Sequence, residues 1–174
     1  TLDAGRWFAK QFTEESIPEL SDVLSWARSP LKVWIEIKEA DPLRVLKIVE
    51  TTKMRENIVL FSLNIEIMEV LADSSVERSL VFPKYTRKTP TLRSLCDLAD
   101  ALNLTSVAPH YSLVTKRTVE YLHQEHLGVA VWTANRPGTI RRLLRDGVDA
   151  IITNYPDRAN RILLGTKSFR HLPR

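Results

Sequence analysis

Apolar positions recur along the chain in two alternating rhythms. Residues 32–38 (Lys-Val-Trp-Ile-Glu-Ile-Lys) are rich in β-branched and aromatic types and alternate with a period of two, which predicts a strand. Before them, Leu20, Val23, Leu24 and Ala27 recur at helical spacing behind Ile17-Pro18-Glu19, so a helix is expected with Pro18 in its first turn and Pro30 closing it. After them, Asp41 is an N-cap and Pro42 a first helical residue, with Leu43, Leu46 and Val49 on one face. The alternation then repeats. Strands are predicted at residues 58–61, 79–82 (the weakest), 105–108, 129–133 and 150–153. Helices are predicted over 65–72 and 91–102, from the cap Thr115 to near Gly128, from Asn135-Arg136-Pro137 to Asp146-Gly147, and from Pro156 onward.

Strands that each lead into a helix of about ten residues imply a parallel sheet covered by helices. The organisation read from this is one α/β domain over residues 1–174: an opening loop and helix (1–30), six strand–helix units (31–165) and a basic tail (166–174). An open doubly wound sheet fits six strands in this length, whereas a complete (β/α)8 barrel takes about 250 residues. Length favours the open sheet. The strand 32–38 points the other way: its period of two places Val33, Ile35 and Ile37 on one face and Trp34, Glu36 and Lys38 on the other. Under a covering helix, Glu36 and Lys38 would be buried at high cost unless paired. At the C-terminal mouth of a barrel they would face a pocket. A partly solvated Glu36–Lys38 pair at a strand end is the plainer alternative.

Composition adds mainly exclusions. The 174 residues carry 25 Lys+Arg against 21 Asp+Glu, a net charge of +4, with 44% hydrophobic and 26% charged residues, which is ordinary globular usage. An excess of four charges, partly in the tail (Lys167, Arg170, Arg174), does not argue for nucleic acid as a partner. No apolar run approaches the roughly 20 residues of a membrane span. The single Cys96 excludes an intramolecular disulfide framework and fits a cytoplasmic location, although a signal carried ahead of Thr1 would make the protein secreted or periplasmic. The chain lacks an initiator Met, and Trp7, Phe8 and Phe12 stand in an aperiodic opening stretch. Aromatics of that kind are expected to pack on something, as in an internal piece of a longer protein, with a processed or tagged N-terminus as the plainer alternative.

Polar groups gather at the predicted strand ends: Ser62 and Asn64; His110 and Tyr111; Trp132, Thr133 and Asn135; Thr153 and Asn154. Asn135 and Asn154 precede helix-opening prolines and read as caps or turn residues. Trp132 alternates with Ala130 and Ala134, as a large residue filling a barrel interior would. His123 and His126 share a helix with no third ligand in sight and are discounted as a metal site. With only 5 glycines there is no Gly-rich phosphate loop.

Six collinear stretches together resemble the glycerophosphodiester phosphodiesterase family, which has a TIM-barrel fold. They are Leu-Asp-Ala-Gly-Arg-Trp-Phe (2–8), Ile-Pro-Glu-Leu-Ser-Asp-Val-Leu (17–24), Trp-Ile-Glu-Ile-Lys (34–38), Pro-His-Tyr-Ser-Leu-Val-Thr (109–115), Val-Trp-Thr-Ala-Asn (131–135) and Asp-Ala-Ile-Ile-Thr-Asn-Tyr-Pro-Asp (149–157). The resemblance implies an incomplete (β/α)8 barrel. It implies metal-dependent hydrolysis of a glycerophosphodiester to an alcohol and glycerol 3-phosphate, with Mg²⁺ or Ca²⁺ and a pair of histidines. Glu36 would correspond to a metal-binding carboxylate, Lys38 to a phosphate-contacting cation, and Trp132 to the wall against the glycerol. His110 is a further substrate-side candidate.

The departures are equally specific. The family's His-Arg-Gly strand end, its Glu-x-Asp pair and its second histidine do not occur in this sequence, which begins where the family's insertion after the second barrel strand lies. The expectation is therefore a C-terminal barrel portion with no catalytic histidine of its own, inactive alone, with open sheet edges that favour oligomers. The alternative is a catalytically dead phosphoester-binding remnant.

Overall fold

All six predicted strands form, each parallel to the one before it. The computed structural model describes residues 2–27, 30–84 and 91–165, so the expected basic tail lies outside the described residues. The strands are β1 (Val33–Glu36), β2 (Ile58–Ser62), β3 (Glu77–Phe82), β4 (Ser106–Pro109), β5 (Gly128–Val131) and β6 (Ala150–Ile151). They lie in the order β1-β2-β3-β4-β5-β6. A doubly wound sheet reverses its strand order at a switch point; this one never does, which settles the architecture in favour of a barrel wall. The register is sheared as well. A row begun at Glu36, the last residue of β1, passes through Phe61, Ser79 and Ser106 to Gly128, the first residue of β5. That stagger is the tilt a sheet needs to curl toward closure.

Helices α1 (Leu20–Trp26), α2 (Pro42–Glu50), α3 (Ile65–Val70), α4 (Leu92–Ala101), α5 (Lys116–Gln124), α6 (Pro137–Asp146) and α7 (Pro156–Gly165) alternate with the strands. Their apolar faces share one large core with Val33, Ile35, Ile37, Ile58, Leu60, Leu80, Val107, Val129 and Val131. The opposite face of the sheet carries a second cluster containing no helical residue: small Val81, Ala108 and Ala130 at its centre, flanked by Trp34, Phe61, Trp132 and Ala150. Large residues over small ones is how a barrel interior is filled. Among the described residues no helix is long and apolar enough to cross a membrane.

Several boundaries differ from the expectations. Pro18 precedes the first helix instead of opening it, and α1 starts at Leu20 with Glu19 as N-cap. The strand expected to be weakest, β3, is the longest at six residues. Its interior residues Arg78 and Ser79 are buried, and their polarity masked the pattern. Gly128 does not end α5, which stops at Gln124; His126 takes the left-handed turn (φ 59°). Gly128 opens β5, where a Cβ would approach that of Ser106 to 3.3 Å. Gly147 does end its helix, in the left-handed conformation (φ 87°) that costs an L side chain about 1 kcal/mol. Trp7 and Phe8 are 82% and 70% exposed. They stack on one another (5.8 Å), and Phe8 lies 5.6 Å from Phe12, so the expected packing does not extend beyond this small cluster among the described residues.

Candidate active site

The C-terminal ends of the strands bring the sequence-predicted residues to one side of the sheet. Glu36 closes β1 on the helix-free face, sharing it with Trp34 and standing in register with Phe61. Lys38 lies two residues beyond, past the strand, because pairing ends with the Ile37 N–H on the Phe61 carbonyl (2.8 Å). Lys38 Nζ sits 3.5 Å from Glu36 Oε2, with the lysine side chain 73% exposed and the glutamate's 32%. The plainer expectation of a partly solvated pair therefore describes the contact. Such a pair is worth at most about 1 kcal/mol. Its weakness matters chemically, since Lys38 can exchange Glu36 for another anion at little cost.

Across the sheet, His110 and Trp132 form a second wall. The two residues meet as an isolated parallel bridge, extending β4 and β5 by one step. Their rings make a T-shaped contact (5.4 Å, 89°), and the Tyr111 ring lies 4.4 Å from that of His110. Trp132 is held by its indole N–H, which donates to the Ala108 carbonyl at 2.8 Å. His110 caps the 3-10 turn Tyr111–Leu113. The Ser112 backbone N–H, which can only donate, points to Nδ1 (3.3 Å), and Ser112 Oγ lies 2.8 Å from the same atom. The neutral ring therefore keeps its proton on Nε2.

Burial lowers the His110 pKa below the ordinary imidazole value, and the positive charge of Lys84 lowers it further. The ring is neutral at pH 7 and able to donate one hydrogen bond. The sign of the linkage follows. Below about pH 6.5 the unfolded chain takes up a proton that the folded chain resists. His110 therefore adds stability that is present above that value and lost as the pH falls through its own lowered midpoint. An NMR titration is expected to place the His110 midpoint below that of the same ring in urea-unfolded chain; an equal or higher midpoint would contradict the burial account.

The other strand-end groups have structural duties. Asn135 does not cap α6; its Oδ1 accepts from Thr153 Oγ1 (3.1 Å) and the Asn154 N–H (2.9 Å), clasping the loops after β5 and β6 together. Arg158 tightens the clasp by donating to the Asn135 carbonyl (2.9 Å) while lying 4.2 Å over the Tyr155 ring. Ser62 is buried on the helix side and donates to the Ile37 carbonyl (2.6 Å), and Asn64 caps α3. His123 pairs with Asp149 (2.8 Å) at the N-terminal end of the strands, away from this site. Sequence reasoning missed Lys84, whose positive charge acts on His110, and Arg142 and Arg158, whose carbonyl acceptors lie in other segments of the chain.

Glu36 offers the oxygen donor a hard cation prefers. Among the described residues, however, no group of three or more His, Cys, Asp or Glu side chains could hold a metal ion. The described residues alone therefore do not fit a metal centre.

The chain is 26% identical to the Bacillus subtilis (strain 168) protein YhdW over 168 residues, 90% of this chain and 66% of that one. It is 24% identical over 188 residues to a glycerophosphodiester phosphodiesterase of the same organism, covering 94% of this chain and 62% of the relative. It thus spans somewhat less than two thirds of the length of these relatives. A phosphodiesterase from Oleispira antarctica, solved in complex with the product sn-glycerol-3-phosphate, has the same fold, with a TM-score of 0.76 at 16% identity over 92% of this chain and 67% of that one. The sequence profile of the glycerophosphoryl diester phosphodiesterase family matches residues 1–158, nearly the whole of the β/α array described above, and the chain belongs to that family.

Proposed function

We propose that this chain forms one wall of a phosphodiesterase site which, in a complete barrel, hydrolyses a glycerophosphodiester to an alcohol and glycerol 3-phosphate. One observation carries the reading: the Glu36–Lys38 pair stands at a strand's C-terminal end on the helix-free face, where barrel enzymes place their chemistry. In the hydrolysis, water adds to phosphorus, the bond to the leaving alkoxide breaks, and that oxygen takes up a proton. Lys38 supplies positive charge for the phosphoryl oxygens as negative charge gathers on them. Neutral His110 offers its Nε2–H to a substrate oxygen, and Trp132 gives the glycerol carbons an apolar wall. Glu36 would be one oxygen ligand of a divalent cation, Mg²⁺ or Ca²⁺, which when bound polarises the phosphoryl group; completing that site takes ligands beyond the described residues.

The 174-residue chain alone is expected to bind a phosphoester without turning it over, since general acid–base groups are typically worth about 10²–10⁴-fold and the family histidines are absent from it. The test is hydrolysis of glycerophosphocholine, with and without EDTA, by this chain and by the longest open reading frame that encodes it. EDTA-sensitive turnover is expected in the longer protein if that frame supplies the histidines. A frame that has them yet shows no metal-dependent turnover would end the reading. Among the described residues β1 and β6 are the two edges of the sheet, and an unpaired edge invites pairing with another chain. The chain alone is accordingly proposed to self-associate, as light scattering across a concentration series would read.

A further inference from the structure

We infer that Arg142, on the outer helix α6, is a positioning residue for the His110–Trp132 wall. The proposal rests on the reading of that wall as substrate-facing. Among the described residues, the hydrogen bonds and ion pair of Arg142 go to neither ring. Its guanidinium reaches two backbone carbonyls of the segment after β4: Nη2 donates to Tyr111 O (2.9 Å) and Nη1 to Val114 O (2.8 Å). Nη1 also meets Asp146 Oδ2 at 2.8 Å, with only 17% of the aspartate side chain exposed. A rigid planar fork anchored by a carboxylate fixes both carbonyls at once, which a flexible ammonium does not.

Tyr111 links this clamp to the wall. While its carbonyl accepts from Arg142, its N–H donates to the Trp132 carbonyl (2.8 Å). The neighbouring His110 N–H donates to Phe82 O (2.9 Å), and the Trp132 N–H to Pro109 O (3.3 Å). The 3-10 turn Tyr111–Leu113, which orients the His110 imidazole through Ser112, is therefore fixed from the strand side by β3 and β5 and from the helix side by the Arg142 fork, beside the packing of Tyr111 against the helix-side core. At the far end Val114 is buried and cannot follow a displaced turn without loss of packing. Removing the fork leaves two carbonyls without their charged donor and frees the turn to rotate, carrying the imidazole away from the indole face.

The test uses the 174-residue chain. NMR records the His110 ring protons and the Trp132 indole N–H, while calorimetry measures sn-glycerol 3-phosphate binding. Arg142→Met is expected to keep the native circular dichroism and to shift the His110 ring resonances as they lose the ring current of Trp132. Affinity for sn-glycerol 3-phosphate should drop about tenfold, in keeping with the sensitivity of sites to small misplacements. Arg142→Lys is expected to restore part of both. Arg141→Met, which removes the same charge from an exposed position on the same helix, should change neither. Unchanged His110 and Trp132 resonances in a folded Arg142→Met chain would overturn the proposal. Should that variant fail to fold, Asp146→Asn, which loosens the fork without removing it, decides by the same resonances. If the unsubstituted chain binds no sn-glycerol 3-phosphate, the substrate-facing reading falls, while the resonances still decide the role of Arg142.

Discussion

Replacing Arg78 by methionine is expected to destabilise the chain by about 3 kcal/mol in urea unfolding, the largest stability loss among single polar substitutions here. Arg78 lies in β3, only 3% exposed, on the helix side near the N-terminal end of the strand. Its guanidinium gathers two loops, the one between α3 and β3 and the one between α4 and β4. Nη1 donates to Val76 O (2.9 Å), Ser74 Oγ (2.8 Å) and Ser74 O; Nη2 donates to Ala72 O (3.1 Å) and Asn103 O (2.7 Å). Ala72 and Asn103 lie just past the C-terminal ends of α3 and α4, where helix carbonyls lack intrahelical partners. One buried cation thus satisfies the loops leading into β3 and β4, and methionine fills its volume without supplying a single donor. Burial lowers the Arg78 pKa, opposed by the negative charge of Asp73. A guanidinium starts so high that it stays charged and keeps donating at neutral pH. Arg78→Lys is expected to recover less than half of the loss, because three donors on one nitrogen cannot span carbonyls on both sides. A loss below about 1 kcal/mol for Arg78→Met would show that water replaces the guanidinium and that the loops hold themselves.

Arg78 also shows where sequence reading stops. The alternation of Val33, Ile35 and Ile37 with Trp34, Glu36 and Lys38 was legible because each face has one kind of neighbour, helices on one side and the barrel interior on the other. In β3 the same rhythm is broken by Arg78 and Ser79, both buried, so polarity no longer reports exposure. The arginine is tolerated there because the turn just before it folds its carbonyls back onto the guanidinium and Asn103 adds another from 25 residues on, neither of which the pattern of apolar positions reports. Gly128 misled for a related reason: a glycine shortly after a helix is usually its terminator, but here a histidine accepts positive φ and the glycine serves close strand packing. At the site, Glu36, Lys38, His110 and Trp132 could be nominated from strand-end position and family resemblance. Arg142 could not. In sequence it is an ordinary i,i+4 partner of Asp146 on an amphipathic helix, and its two carbonyl acceptors lie 28 and 31 residues earlier.

In the 174-residue chain with EDTA present, Lys38→Met and Glu36→Gln are expected to move sn-glycerol 3-phosphate affinity in opposite directions. Among the described residues Lys38 is held by a 3.5 Å contact to a partly solvated carboxylate, so most of its charge is available to an incoming phosphate. Losing it should weaken binding about tenfold or more, since charged hydrogen bonds contribute about 1.5–3 kcal/mol each. Glu36 competes with the ligand for that same ammonium and repels the phosphate. Without a metal its neutralisation should tighten binding by up to about fivefold, the worth of an exposed pair. In a longer, metal-competent protein the sign for Glu36 should reverse. There the carboxylate would be one ligand of the proposed cation, and Glu36→Gln should cost activity as Lys38→Met does, the latter by about 10²–10³-fold in kcat/KM. Calorimetry on the chain and initial rates on the longer protein read these effects separately. If Glu36→Gln weakened binding in the metal-free chain, the carboxylate would be orienting Lys38 instead of competing with the ligand, and the assignment of Glu36 to a cation would lose its support. If Lys38→Met left affinity unchanged, the phosphate would have to bind elsewhere on the sheet's mouth, and the reading of the Glu36–Lys38 pair as the anchor of the site would fail with it.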